Sequence, residues 1–185
     1  MNTDETIKIL ATLKAAYPHS FKDLTRRDAE NMIELWTVMF SAESYSEVSA
    51  SIAAMISTRK EGYSPTIGEV KEKLQSLKTV NELSESDAWA LVSKACSNGL
   101  YGYKDEFAKL PPEVQRAVGA PEQLKAWAAM DSETVESVVA SNFKRGYRTL
   151  KERDKETAML PPAIRQMIGG IADGMKMIRE GDKEK

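Results

Sequence analysis

An all-α fold is what this 185-residue sequence predicts: a small N-terminal helical bundle, a second helical region and a marginally ordered C-terminal segment. Three observations predict it. Apolar residues recur at three- and four-residue spacing, with no sustained alternation of the kind a strand shows. Pairs of capping-box type open one segment after another. Prolines and glycines fall mostly between the periodic segments, where helices begin and end.

The first helix is expected from Asp4 to about Tyr17, with Ile7, Leu10, Lys14 and Tyr17 along one side. Pro18 stops it, because the residue before a proline is pushed out of the helical region. Thr25, answered by Asp28, opens a second helix that carries Ala29, Met32, Trp36, Met39 and Phe40 to about Ser41. Ser44 and Glu47 open a third, with Val48, Ile52, Met55 and Ile56 as its apolar face, and Gly62 suits a left-handed exit. Thr66 and Glu69 open a fourth, striped by Ile67, Val70, Leu74 and Leu77. Four short amphipathic helices with brief connections make a compact bundle, assigned to residues 1–78.

Residues 78–83 (KTVNEL) read as a joint. Ser84 and Asp87 open a fifth helix through Trp89, Val92 and Cys96, and GLYGY at Gly99–Tyr103 reads as a loop. Short helices over Tyr103–Leu110, Pro112–Val118 and Pro121–Met130 follow, then a longer one from after Asp131 to about Ala158, closing a second region over 84–158. LPPEVQRAVG at Leu110–Gly119 reappears as LPPAIRQMIG at Leu160–Gly169. Proline at the first helical position and glycine after the last turn give both the grammar of a short helix, and convergent punctuation is preferred over duplication. Residues 159–185 are set apart as a C-terminal helix and frayed tail. Gly169, Gly170 and Gly174 each cost a helix up to ~1 kcal/mol relative to alanine, so this segment is expected to be marginally helical until it docks.

Composition is ordinary for a globular protein, with 42% hydrophobic and 29% charged residues and a net charge of −2. The charge is uneven: −1 over residues 1–80, −5 over 81–143 and +4 over 144–185. No run approaches the ~20 apolar residues that cross a bilayer, and the opening MNTDETIKIL lacks the basic and apolar regions of a secretory signal. The single cysteine, Cys96, cannot close an internal disulfide and is consistent with a reducing cytoplasm.

The sequence offers little chemistry. It has no G-x-x-x-x-G-K-[ST] to cradle a nucleotide's phosphates, so no cofactor is expected and the chain is not expected to be an enzyme. One His and one Cys, His19 and Cys96, fall far short of a zinc ligand set. His19 reads as a turn residue. Cys96 reads as core packing, since no basic partner lies on its helical face to lower its pKa. Glu69 and Lys73 fit an i, i+4 surface pair better than acid–base catalysis. Trp36, Trp89 and Trp127 read as core anchors.

Two segments remain as candidate binding elements. Ile164, Met167, Ile168, Met175 and Ile178, flanked by Arg165 and Lys176, form an adaptable apolar face that suits equally a partner's groove or packing against the preceding helices. Phe143 and Tyr147, beside Lys144, Arg145 and Arg148, could stack bases while neutralising phosphates. Glu152, Asp154 and Glu156 interrupt that basic run and favour an ordinary solvated face.

The segments FKDLTRRDAENMIELWTVMF, SYSEVSASIAAMI and YSPTIGEVKEKL resemble the loader and inhibitor family of phage replicative helicases. Through DAWALV, KLPPEVQRAVG and SNFKRGYRTLKER the resemblance extends into related prophage proteins and covers most of residues 5–168. It implies a helical adaptor without ATPase activity that binds a hexameric replicative helicase and delivers it to an origin-bound initiator protein. It also implies a compact N-terminal domain and helicase contacts in the C-terminal part. The runner-up is a helical nucleic-acid-binding replication or regulatory protein acting through Phe143, Lys144, Arg145, Tyr147 and Arg148. On the first reading direct DNA binding is weak or absent, and the protein works in the bacterial cytoplasm without a membrane.

Overall fold

The computed structural model describes residues 1–79 and 82–181, with side chains from 172 onward outside the description. The described residues are helical with connecting turns and no strand. The chain divides into two units, Met1–Val80 with Glu156–Lys185, and Asn81–Lys155.

In the first unit, α1 (Thr3–Ala16), a 3₁₀ turn (Pro18–Phe21), α2 (Arg26–Met39), α3 (Tyr45–Thr58) and α4 (Ile67–Lys78) follow one another. Each α-helix starts on a reciprocal capping box: Asn2 with Glu5, Thr25 with Asp28, Ser44 with Glu47, and Thr66 with Glu69. Two orphan N–H groups are satisfied at each start. The core gathers Leu13, Phe40, Val48, Ile52, Val70 and Leu74, with Trp36 stacked on Phe40 at 5.2 Å between ring centroids.

Several expectations for this unit need correction. The buried side of α1 is Thr6, Ile9, Leu10 and Leu13, followed by Tyr17, while Ile7 is 45% exposed and Lys14 faces solvent. Thr6 can enter the core because its hydroxyl is satisfied: it donates to the Asn2 carbonyl at 2.9 Å and accepts from Thr37 at 3.1 Å. On α4, Leu77 is exposed, and Lys71 is buried beside Val70 and Leu74. Gly62 is not a left-handed exit. Helix α3 ends at Thr58 because Arg59 is extended (φ −71°, ψ 138°), and its guanidinium bonds Glu61 and Glu69 at 3.1 and 2.8 Å. That bond also removes Glu69 from the expected pairing with Lys73. As the third residue of α4, Glu69 reaches back to its own cap, on the side away from Lys73.

The second unit runs α5 (Glu85–Cys96), α6 (Gly99–Lys109), α7 (Pro112–Val118), α8 (Pro121–Ala128), α9 (Ser132–Thr134), a π-helical turn (Val135–Val139) and α10, which extends beyond it (Ala140–Met159). Ser84 with Asp87 caps α5, and Asp131 caps α9 by accepting from the Thr134 N–H at 2.8 Å. Trp89, Trp127, Phe143 and Tyr147 form a chain of rings at its centre, with centroid separations of 5.6 Å (Trp89–Phe143), 6.4 Å (Trp127–Phe143) and 5.9 Å (Phe143–Tyr147).

GLYGY is helical rather than a loop. A Cβ placed on Gly99 would sit 3.0 Å from the Ala128 Cβ and 3.2 Å from the Leu124 carbonyl oxygen. Glycine is therefore there so that α6 can pack closely on α8, and the expected break survives only as a kink at Gly102 (φ −100°, ψ 17°). The π turn is a further departure from the sequence-based expectation of one continuous helix.

The repeated motif has two outcomes. In its first copy Gly119 takes φ +91° and ends α7, with Val114 and Val118 buried. In the second, Pro162 opens α11 (Pro162–Gly181), which continues through Gly169 and Gly170 instead of stopping. The difference lies downstream. Pro121 forces Ala120 to be extended (φ −146°, ψ 154°), whereas Gly170 and Ile171 leave the backbone free to go on. No described helix is long and apolar enough to cross a membrane.

Candidate partner-docking surface

Helix α11 starts where Pro161 and Pro162 interrupt α10, its first turn closed by the Arg165 N–H donating to the Pro161 carbonyl at 3.0 Å. Ile164, Met167, Ile168 and Ile171 recur at intervals of three, one and three, which keeps them on one face. All four are exposed, Met167 at 68% and Ile171 at 58%. A Cβ on Gly169 or Gly170 would meet nothing within 4 Å, so no neighbour within the chain demands glycine there. Arg165 is exposed beside this stripe and has no ion-pair partner among the described residues. The structure thus brings Ile164, Arg165, Met167 and Ile168 onto one exposed helix, while the side chains of Met175, Lys176 and Ile178 lie outside the described residues.

The first copy of the motif shows what such a face does when partners are at hand. Val114, Ala117 and Val118 occupy the positions of Ile164, Met167 and Ile168, and they pack into the helical core of the second unit. The C-terminal copy presents the larger residues to solvent.

The other candidate element is differently placed. Phe143 and Tyr147 are 4% and 1% exposed. The Tyr147 hydroxyl points toward the Leu83 carbonyl at 3.5 Å, and burial pushes its pKa up to about 12. Neither ring has a free face on which a base could stack. Arg148 holds Glu85 through two bonds of 2.6 and 2.8 Å, which keeps the Glu85 carboxyl below its ordinary range, helped by the nearby Lys144. Lys151 donates to the Leu83 carbonyl at 3.0 Å and pairs with Glu82 at 2.6 Å. Arg145 is exposed. Phe143 and Tyr147 are therefore core packing and Arg148 and Lys151 are internally paired, and the base-stacking expectation for the two rings is corrected by their burial.

Among the described residues no three of His, Cys, Asp and Glu are grouped as metal ligands would be. His19 is exposed on the 3₁₀ turn. Cys96 is half-buried against the second core, and burial pushes its thiol up to about 11, which leaves it a poor nucleophile at neutral pH.

With the four-helix unit and the exposed C-terminal helix described, comparison with known proteins adds one finding. Residues 1–71 match the family model of the gp39P N-terminal domain. That domain belongs to the phage helicase loader and inhibitor type, the family expected from the sequence. The match ends at residue 71, so the continuation expected through residue 168 lies beyond it. No curated protein and no solved structure matches the chain.

Two features of the N-terminal unit carry no clear mark in the sequence. Lys71 Nζ donates to Glu43 Oε1 at 3.0 Å, with the two side chains only 4% and 8% exposed, and lies 5.1 Å from the centre of the Phe40 ring. Glu43 Oε2 has no hydrogen-bond partner among the described residues. The available signal is positional: Lys71 falls between Val70 and Leu74 on the apolar stripe of α4. The second feature is an apolar groove along α1 and α2, with the exposed Ile7 at its edge. Ile7 and Ile33 join a cleft of about 200 Å³, also lined by Phe21, Leu24 and Met32, to one of about 390 Å³ bordered by Glu30, Glu34 and Val38.

Proposed function

We propose that this protein is a phage DNA-replication adaptor that binds a hexameric replicative helicase and loads or inhibits it without hydrolysing ATP. The single observation that carries the reading is the exposed apolar face of α11 on a chain whose N-terminal module matches the gp39P N-terminal domain family. Residues 1–78 act as the family module, 84–158 as a second folded region, and 159–185 as the helicase-contacting segment. Ile164, Met167 and Ile168 are the apolar anchors and Arg165 the flanking charge. Met175, Lys176 and Ile178 continue the set by their spacing in the sequence.

The mechanism requires only binding energy. A ligand shifts a conformational equilibrium by its difference in affinity for the two states. An adaptor whose helix fits one conformation of the helicase ring therefore populates that conformation, without a reaction centre of its own. Delivery to an origin-bound initiator completes the cycle in the bacterial cytoplasm, and direct DNA binding is weak or absent.

Removing residues 159–185 tests this. Helicase binding, measured by calorimetry or co-sedimentation, is expected to be lost, while circular dichroism still shows a folded helical protein. Full affinity in the truncated protein would overturn the assignment of the contact to this segment.

A further inference from the structure

We infer that the α1–α2 groove receives α11 from a second copy of this chain, so that the free protein self-associates and masks its own docking helix. Both surfaces are apolar and exposed among the described residues. On the groove side, Ile7, Leu24 and Val38 are 45%, 36% and 51% exposed. On the helix side stand Ile164, Met167, Ile168 and Ile171.

Their lengths agree. Ile164 to Ile171 spans about 10 Å of helix, and Ala29 to Val38 along the groove wall about 13 Å, at the helical rise per residue. Their charges are complementary at the larger cleft, and Lys14, which lines the smaller one, favours placing Arg165 at the Glu34 end. Glu30 and Glu34 border the larger cleft. Glu30 is drawn to Arg26 at 2.9 Å, which leaves Glu34 exposed with no ion-pair partner among the described residues. From Pro162 to Ile171 the only charge on α11 is Arg165, also exposed.

A second copy suits this pairing because the exchange can be reciprocal. Under two-fold symmetry each chain gives one helix and receives one, so the contact is made twice. One helix in one groove is small beside the roughly 1,200–2,000 Å² that stable complexes bury, and doubling it moves the assembly toward that range.

The consequence for the helicase rests on the reading of α11 given above, whereas the self-association does not. A helix seated in a second copy is withheld from any other partner, so association lowers the protein's apparent affinity for the helicase as its own concentration rises.

Sedimentation velocity on the full chain alone, across a wide concentration range, tests the pairing without the helicase. The wild-type protein is expected to move from monomer toward dimer with concentration. Ile168→Glu, an exposed change that leaves both cores untouched, is expected to weaken dimerisation about tenfold or more. Glu34→Lys and Arg165→Glu are each expected to weaken it, and the double variant to restore it. A wild-type monomer at every concentration overturns the proposal, including one whose α11 folds back within its own chain. Dimerisation unchanged by Ile168→Glu, or a double variant no better than the singles, overturns it as well. The helicase assay with the truncated protein is separate, so failure of either reading is visible without the other.

Discussion

Lys71 and Glu43 set the energetic stakes at the scale of single residues. Taking two charges out of water costs several kcal/mol for each ion, and mutual attraction offsets this only with good geometry. Here one carboxylate oxygen is well placed at 3.0 Å and the other has no partner among the described residues. The pair therefore specifies how α4 meets the turn before α3 more than it stabilises that meeting. Lys71→Met alone is expected to lose ~3–5 kcal/mol of unfolding free energy, because it leaves a buried carboxylate unpaired. Replacing both residues together, Glu43→Leu with Lys71→Met, should recover most of the loss. Urea denaturation of the single and double variants measures both, and a double variant as unstable as the single one would contradict this account.

At the scale of elements, four capped helix starts were legible, whereas the Asn2–Glu5 box of α1, the start of α6 at Gly99 and several stops were not. Capping is local chemistry between residues three apart, so Thr25–Asp28, Ser44–Glu47, Thr66–Glu69 and Ser84–Asp87 could be read directly and recur in the fold. Helix ends depend on what lies further off. Gly99 reads as a break in isolation and serves instead as the point where α6 touches α8. Gly119 and Gly169 close the same motif, yet only the one followed two residues later by proline ends its helix. The exposed face of α11 was visible as spacing, whereas the α1–α2 groove arises only when two helices are set side by side. The caps also carry a pH dependence. The Ser44 backbone N–H, with the Lys78 ammonium, lowers Glu47 from the ordinary 4.5 to about 2. Between those values the unfolded chain holds the proton and the folded one does not. The contribution is thus complete above pH 4.5 and is lost as pH falls toward 2. Glu47→Gln should flatten the stability profile in that window, as followed by denaturant midpoints at a series of pH values. An unchanged slope would show that the cap is not linked to acid unfolding.

At the scale of the whole molecule, two separate cores imply two separable stabilities. One is built from Leu13, Phe40, Val48 and Val70, the other around Trp89, Phe143 and Tyr147. Truncating a buried aromatic costs ~3–5 kcal/mol. Phe143→Ala is therefore expected to unfold the second region at lower denaturant while leaving the first transition in place. Hydrogen exchange resolved along the sequence would show protection falling over residues 84–155 and persisting over 3–79. Uniform loss across both would mean that the molecule unfolds as one cooperative body.

The indole rings are shared unequally between these cores. Trp36, stacked on Phe40, belongs to the N-terminal helices, while Trp89 and Trp127 sit with Phe143 in the other unit. In a fragment ending at residue 79, all tryptophan emission would come from Trp36 alone. Comparing its wavelength and quenching with those of the intact chain gives each half a distinct optical signature, so the fluorescence change on adding a binding protein would tell which half it reaches.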